Sequence, residues 1–159
     1  MKTIYKALIA VIRTRNGAHE ILVFKHPHAG VQIPKGTVED GETVEMAAVR
    51  ELKEESGIEL SDEPPAIGTW QRIVGGGPNE DRPLEINEWS VHISWADKKL
   101  PERWNHQAEG GEEESGLIFD YFWLPIDVSL ADKLEPVFRS VVEIIVNHVT
   151  GSKQSEKFS

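Results

Sequence analysis

Residues 36–58 read GTVEDGETVEMAAVRELKEESGI, and this stretch organises the rest of the chain. After Thr43 the composition shifts to Ala, Val, Met, Arg, Glu, Leu and Lys, with neither Gly nor Pro before Gly57. That predicts a helix with Thr43 as its N-cap and Gly57 as its stop. On a wheel of 100° per residue, Val44, Ala47, Glu54 and Glu55 fall within about 60° of Glu51, with Ala48 at the edge. Apolar and acidic residues therefore share one face. Glu51 lies three residues from Glu54 and four from Glu55, a separation of about 5–6 Å that mildly destabilises a bare helix. Read alone, the face fits a solvated glutamate-rich surface as well as a pocket of carboxylates for a hard cation such as Mg²⁺, which takes oxygen ligands.

Outward from this helix the pattern is mostly strands. Thr3 to Arg13 and Glu20 to Lys25 are apolar and β-branched runs around Asn16-Gly17, which predicts a hairpin. Val31 to Pro34 reads as a short strand and Lys35 to Gly41 as a glycine-bounded loop. Beyond Pro64-Pro65, Ala66 to Val74 and Glu85 to Ala96 read as strands joined by a mobile connection over 75–81. The polar stretch Asp97 to Ser115 is long for a loop in a compact domain, which marks it as functional or mobile. Leu117 to Leu124 is a further strand. The spacing of Leu134, Val137, Val141, Ile144, Ile145 and His148 predicts an amphipathic helix over Leu130 to Val149. The expected fold is α+β, a mixed β-sheet between helices, with residues 1–150 as a single domain and 151–159 as a flexible tail.

The 159 residues are 39% hydrophobic and 28% charged, the composition of an ordinary globular protein. No window is apolar enough to span a membrane and Met1 to Ile12 lacks the features of a secretory signal, so a cytoplasmic protein without membrane partners is expected. The chain has no cysteine, which removes disulfides, thiolate zinc sites and cysteine nucleophiles. A formal charge of −10 argues against broad nucleic-acid binding. It would also repel an anionic substrate unless divalent cations bridged protein and ligand.

Gly36, five residues, Glu42, seven residues and then Arg50-Glu51-Leu52-Lys53-Glu54-Glu55-Ser56-Gly57-Ile58 together resemble the Nudix box of the Nudix hydrolase superfamily, with every defining position filled. The resemblance implies a Nudix-type α/β/α sandwich and Mg²⁺-dependent hydrolysis of a phosphate anhydride in a nucleoside diphosphate derivative. It implies that Glu51, Glu54 and Glu55 bind Mg²⁺, with Mn²⁺ as an alternative. The ions would neutralise diphosphate oxygens, polarise phosphorus and acidify an attacking water. Arg50 would brace neighbouring carboxylates such as Glu42 or Glu51 with its planar fork, or serve only as an exposed partner of Glu54. Gly36 would let its backbone carbonyl approach a metal. The general base stays open between Glu54 in the box, the acidic turn Glu112, Glu113 and Glu114, and His106. A solvated acidic turn is the plainer reading of the second.

The substrate is less legible. Lys35 could reach terminal phosphates as a point charge, and Pro34-Lys35-Gly36 looks like a stretch of Nudix enzymes acting on dinucleoside polyphosphates. The tyrosine those enzymes tend to carry after the box is missing where Val74-Gly75-Gly76 stands. Proline signatures of ADP-ribose and NADH hydrolases are also absent. Trp104, in the polar stretch, and Arg72, beside the expected cleft, are candidate substrate contacts. A homodimer is compatible with these features, as is a different class of protein, a catalytically silent Nudix-like module that binds a nucleotide; the complete glutamate set favours the enzyme.

Overall fold

A computed structural model describes the chain except for Glu80, Asp97, Lys98, Glu112, Glu113 and Ser159, and leaves the side chains of positions 152–158 undescribed. Its spine is β1 (Lys2–Arg15), where six consecutive residues, Ala7 to Ile12, are buried. Such a run forms only where both faces of a strand are covered. Leu8, Ala10 and Ile12 point into one core with Trp89, Phe138 and Val141, whereas Ala7, Ile9 and Val11 point into a second with Ala47, Leu52 and Tyr121.

β1 turns through Asn16 (φ 53°) and Gly17 (φ 79°) into β2 (Ala18–Lys25), the two left-handed residues of a tight hairpin. Short strands β3 (Val31–Gln32) and β4 (Lys35–Thr37) pair with β2 and β1. Helix α1 (Val44–Ser56) follows, then β5 (Ala66–Val74), β6 (Glu85–Trp95), β7 (Trp104–Gln107) and β8 (Ile118–Pro125). The order β5-β6-β1-β2-β8-β7 makes a mixed sheet in which β1 and β6 run parallel from Lys2↔Glu85 to Ile12↔Trp95. One face carries α1. The other carries α2 (Leu130–Lys133), a 3₁₀ turn (Pro136–Phe138) and α3 (Arg139–Phe158). The α/β/α sandwich with a mixed sheet is thus present, and no helix of the described residues is long and apolar enough to cross a membrane.

Three elements differ from the sequence expectation. Lys35–Thr37 is a strand rather than part of a loop, because Gly36 and its neighbours pair with Lys6, Ala7 and Leu8. The polar stretch contains β7, whose alternation is masked by polar residues although Trp104 and His106 face inward and pair with Tyr121 and Phe119. The helix expected from Leu130 is interrupted, since Pro136 has no N–H to donate and starts a 3₁₀ turn, so α3 begins at Arg139 and runs on through Phe158.

Candidate active site

Thr43 caps α1 as expected, its hydroxyl accepting the Met46 N–H at 3.0 Å, and Gly57 ends it at φ 84° with its N–H on the Lys53 carbonyl. Ala47, Ala48 and Leu52 press the helix onto β1, and burying Leu52 contributes about 2 kcal/mol. The alanines are small, so the glutamates one turn on are drawn down towards β4. Glu55 is 7% exposed and its Oε2 is buried without a hydrogen-bond partner. Glu51 fills the space where Gly36 lacks a side chain: a Cβ there would overlap the Glu51 carboxyl group. A side chain at position 36 would therefore displace the Glu51 carboxylate, although the strand backbone there does not itself call for glycine.

Arg50 lies among the other acids. Its Nε and Nη2 donate to Glu42 at 2.7 and 2.8 Å, its Nη1 to Glu51 at 2.8 Å and Glu54 at 3.1 Å, and Nη2 also to the Thr37 carbonyl at 3.0 Å. The hydrogen bonds that Arg50 donates to Glu42 come first in raising the Arg50 pKa, and the same bonds hold the Glu42 carboxyl below the usual carboxylate range. Burial raises Glu51, with Arg50 opposing. Burial, followed by the charge of Glu51, pushes Glu55 well above the ordinary range. Among the described residues no three acidic or histidine side chains are placed as they stand to hold a metal ion, and the guanidinium lies among Glu42, Glu51 and Glu54.

The opposite wall comes from the turn before β8. The Glu109 N–H donates to the Glu54 carbonyl at 3.0 Å, and Gly110 (φ 72°) rests against the Glu54 carboxyl, where a Cβ would lie 2.7 Å from Cδ. Glu114 faces Glu55 from this turn. Its Oε2 is buried without a hydrogen bond of good geometry, 3.3 Å from His26 Nε2. The Tyr121 hydroxyl is buried nearby without a partner, raised first by burial and then by Glu55 and Glu114. Arg50, Glu51, Glu54 and Glu55 on one side and Glu109, Gly110 and Glu114 on the other line a cleft of about 350 Å³, in the size range of small-molecule sites.

Of the expected site residues, the cleft brings together Lys35, Gly36, Arg50, Glu51, Glu54, Glu55 and Glu114. Glu112 and Glu113 lie outside the described residues. Trp104 is not in the cleft: its indole N–H donates to the Ser56 carbonyl at 3.0 Å and its ring stacks on Tyr121 at 5.2 Å, so it packs under the end of α1. His106 is similarly engaged, its Nε2 bonded to the Glu54 carbonyl at 3.1 Å. Arg72 lies on β5 with its guanidinium 5.7 Å from the Trp89 ring, outside the cleft lining. Lys35 Nζ is 5.2 Å from the same ring. The sequence reading missed Gln32, Phe24 and Phe119, which line the cleft; alternation in the flanking strands was the available signal, but it does not distinguish cleft from core.

The family model described as NUDIX domain matches residues 5–143. The chain belongs to the Nudix family. A protein of Escherichia coli (strain K12) named 8-oxo-dGTP diphosphatase is 30% identical to this Nudix protein over 142 residues, 86% of this chain and 94% of its own. With the family match, that makes the chain a Nudix pyrophosphohydrolase. Its fold is similar to that of a C. elegans Ap4A hydrolase, with TM-score 0.60 and 15% identity over 92% of this chain and 98% of the other. It is also similar to the NUDIX domain of Shewanella oneidensis NrtR complexed with ADP ribose, with TM-score 0.54 and 13% identity over 94% and 90%.

Proposed function

We propose that the protein hydrolyses a phosphate anhydride bond in a nucleoside diphosphate derivative, with a divalent cation, Mg²⁺ or Mn²⁺, held by Glu51, Glu54 and Glu55. The reading rests above all on Glu55. An ionisable carboxylate with an orphaned buried oxygen is costly in an apoprotein and is suited to a hard cation. The Gly36 cradle around Glu51 supports the same donor set, as does the lack of soft ligands. Bound there, the cation would neutralise the diphosphate and act as a Lewis acid at phosphorus.

The chain's own groups would do the rest. Arg50 keeps Glu51 and Glu54 oriented through a fork that a lysine could not reproduce. Lys35, on the strand beside Glu55, would meet a phosphate oxygen. Glu114 and Glu54, on opposite walls, are the carboxylates that could take a proton from the attacking water, whereas His106 is already bonded to backbone. Relatives named for 8-oxo-dGTP and Ap4A hydrolysis support a nucleotide derivative as substrate.

The test is turnover of nucleoside triphosphates, dinucleoside polyphosphates and nucleotide sugars with Mg²⁺, with Mn²⁺ and with chelator, in the wild type and Glu54→Gln. Metal-dependent cleavage that collapses in the variant is expected. Tight nucleotide binding without turnover of any substrate would instead identify a silent binding module.

A further inference from the structure

Gln32 lines the cleft beside Phe24 and Lys35, and its amide is tied from behind by a residue more than a hundred positions away. Glu135, just before the 3₁₀ turn, accepts the Gly30 N–H on Oε1 at 2.9 Å and the Gln32 Nε2–H on Oε2 at 2.7 Å. Its own N–H donates to the Val31 carbonyl at 3.0 Å. Gly30 leaves room for this arrangement, since a Cβ there would lie 2.8 Å from Glu135 Cγ. One carboxylate thus fixes both the path of the 30–32 segment and the side chain it carries.

The chemistry of this bond settles which way the amide faces. A carboxylate only accepts, so a flipped Gln32 would set oxygen against oxygen. Gln32 therefore points its NH₂ group at Glu135 and leaves its carbonyl oxygen and second N–H for a ligand. A glutamine amide pairs with the hydrogen-bonding edge of a purine, and a fixed amide cannot turn over to suit the opposite donor and acceptor pattern. An unlocked amide would accept both.

We propose that Gln32 reads the edge of a purine base in the substrate, with Glu135 as the positioning residue that fixes the sense in which it reads. The inference rests on the proposed nucleotide substrate and adds that the enzyme distinguishes 6-amino from 6-oxo purines. Glu135→Gln makes the sharpest test. The new amide keeps its oxygen on the Gly30 N–H and turns its NH₂ towards Gln32, which must flip to accept it.

Calorimetric affinities for ADP and IDP with Mg²⁺, and KM for ATP and ITP where they are turned over, provide the readouts. Wild type should separate the members of each pair by about tenfold or more, the range expected of one fixed amide contact. Glu135→Gln should move that ratio by about tenfold towards the other base, carried by KM more than by kcat. Gln32→Leu, which leaves the Glu135 bond to Gly30 in place, should bring the ratio near unity and guards against misfolding of the first variant. Equal wild-type affinities, no binding of either nucleotide, or an unchanged ratio in a folded Glu135→Gln or in Gln32→Leu overturns the inference. Discrimination in binding without hydrolysis would overturn the proposed activity and leave this inference standing.

Discussion

Glutamine at position 55 would remove a charge that the metal-free protein is poorly built to hold, and the result should be a dead enzyme that is more stable than its parent. In the unfolded chain Glu55 ionises near 4.5, whereas in the fold burial and then the Glu51 charge push it well above that value. Above about pH 4.5 the folded state therefore holds a proton that the unfolded state has lost. Stability is fully present below the unfolded pKa and declines as pH rises towards the folded one. The slope is at most about 1.4 kcal/mol per pH unit for one proton. In a domain of this size that is about 3–5 °C in Tm per unit. Glu51 is raised by burial in the same direction, so the variant should lose only part of the wild-type slope. Thermal unfolding in chelator at pH 5, 6 and 7 measures it. The two proteins should lie close at pH 5, with Glu55→Gln increasingly the more stable above it. Mg²⁺ should raise the wild-type Tm and release protons on binding, and should do neither strongly in the variant. Parallel pH profiles for the two proteins would refute the account of Glu55 as a destabilising buried acid.

Arg50→Ala leaves Glu42, Glu51 and Glu54 facing one another and should cost about 2–3 kcal/mol, read as a loss of roughly 5–10 °C in Tm, with Arg50→Lys recovering little activity. Gly36→Ala should leave the circular dichroism unchanged but displace Glu51 and weaken Mg²⁺ binding about tenfold or more, as measured by calorimetry. Glu42 has a depressed pKa in the fold, so its contribution is present above about 4.5 and lost as pH falls through the folded value; Glu42→Gln should flatten acid unfolding in that window. Trp104→Phe should cost about 0.5–1.5 kcal/mol in stability through the lost bond to Ser56 while leaving kcat and KM unchanged.

The sequence spoke most clearly where local chemistry and function coincide. Thr43 and Gly57 bound α1 because capping is local, and the glycine and glutamate spacing pointed to the family because its pattern lies within one loop and one helix face. It spoke least clearly where partners are distant. Lys35–Thr37 becomes a strand only because β1 offers it an edge, and no local pattern announces that. Trp104 looked like a ligand platform in a polar stretch until the pairing of β7 with β8 turned it onto Tyr121. Glu135 and Gln32 are unremarkable in sequence, and their link exists only after the chain folds.

Arg50 also bears on how the protein comes to be active. Its guanidinium binds Glu42, Glu51 and Glu54 at once, supplying in the apoprotein part of the positive charge that a cation would bring. A newly made chain can therefore close its sheet and seat α1 before any ion arrives. Under the proposed metal dependence, folding would precede ion binding, and the cation would add activity and further stability to a fold that Arg50 already holds together.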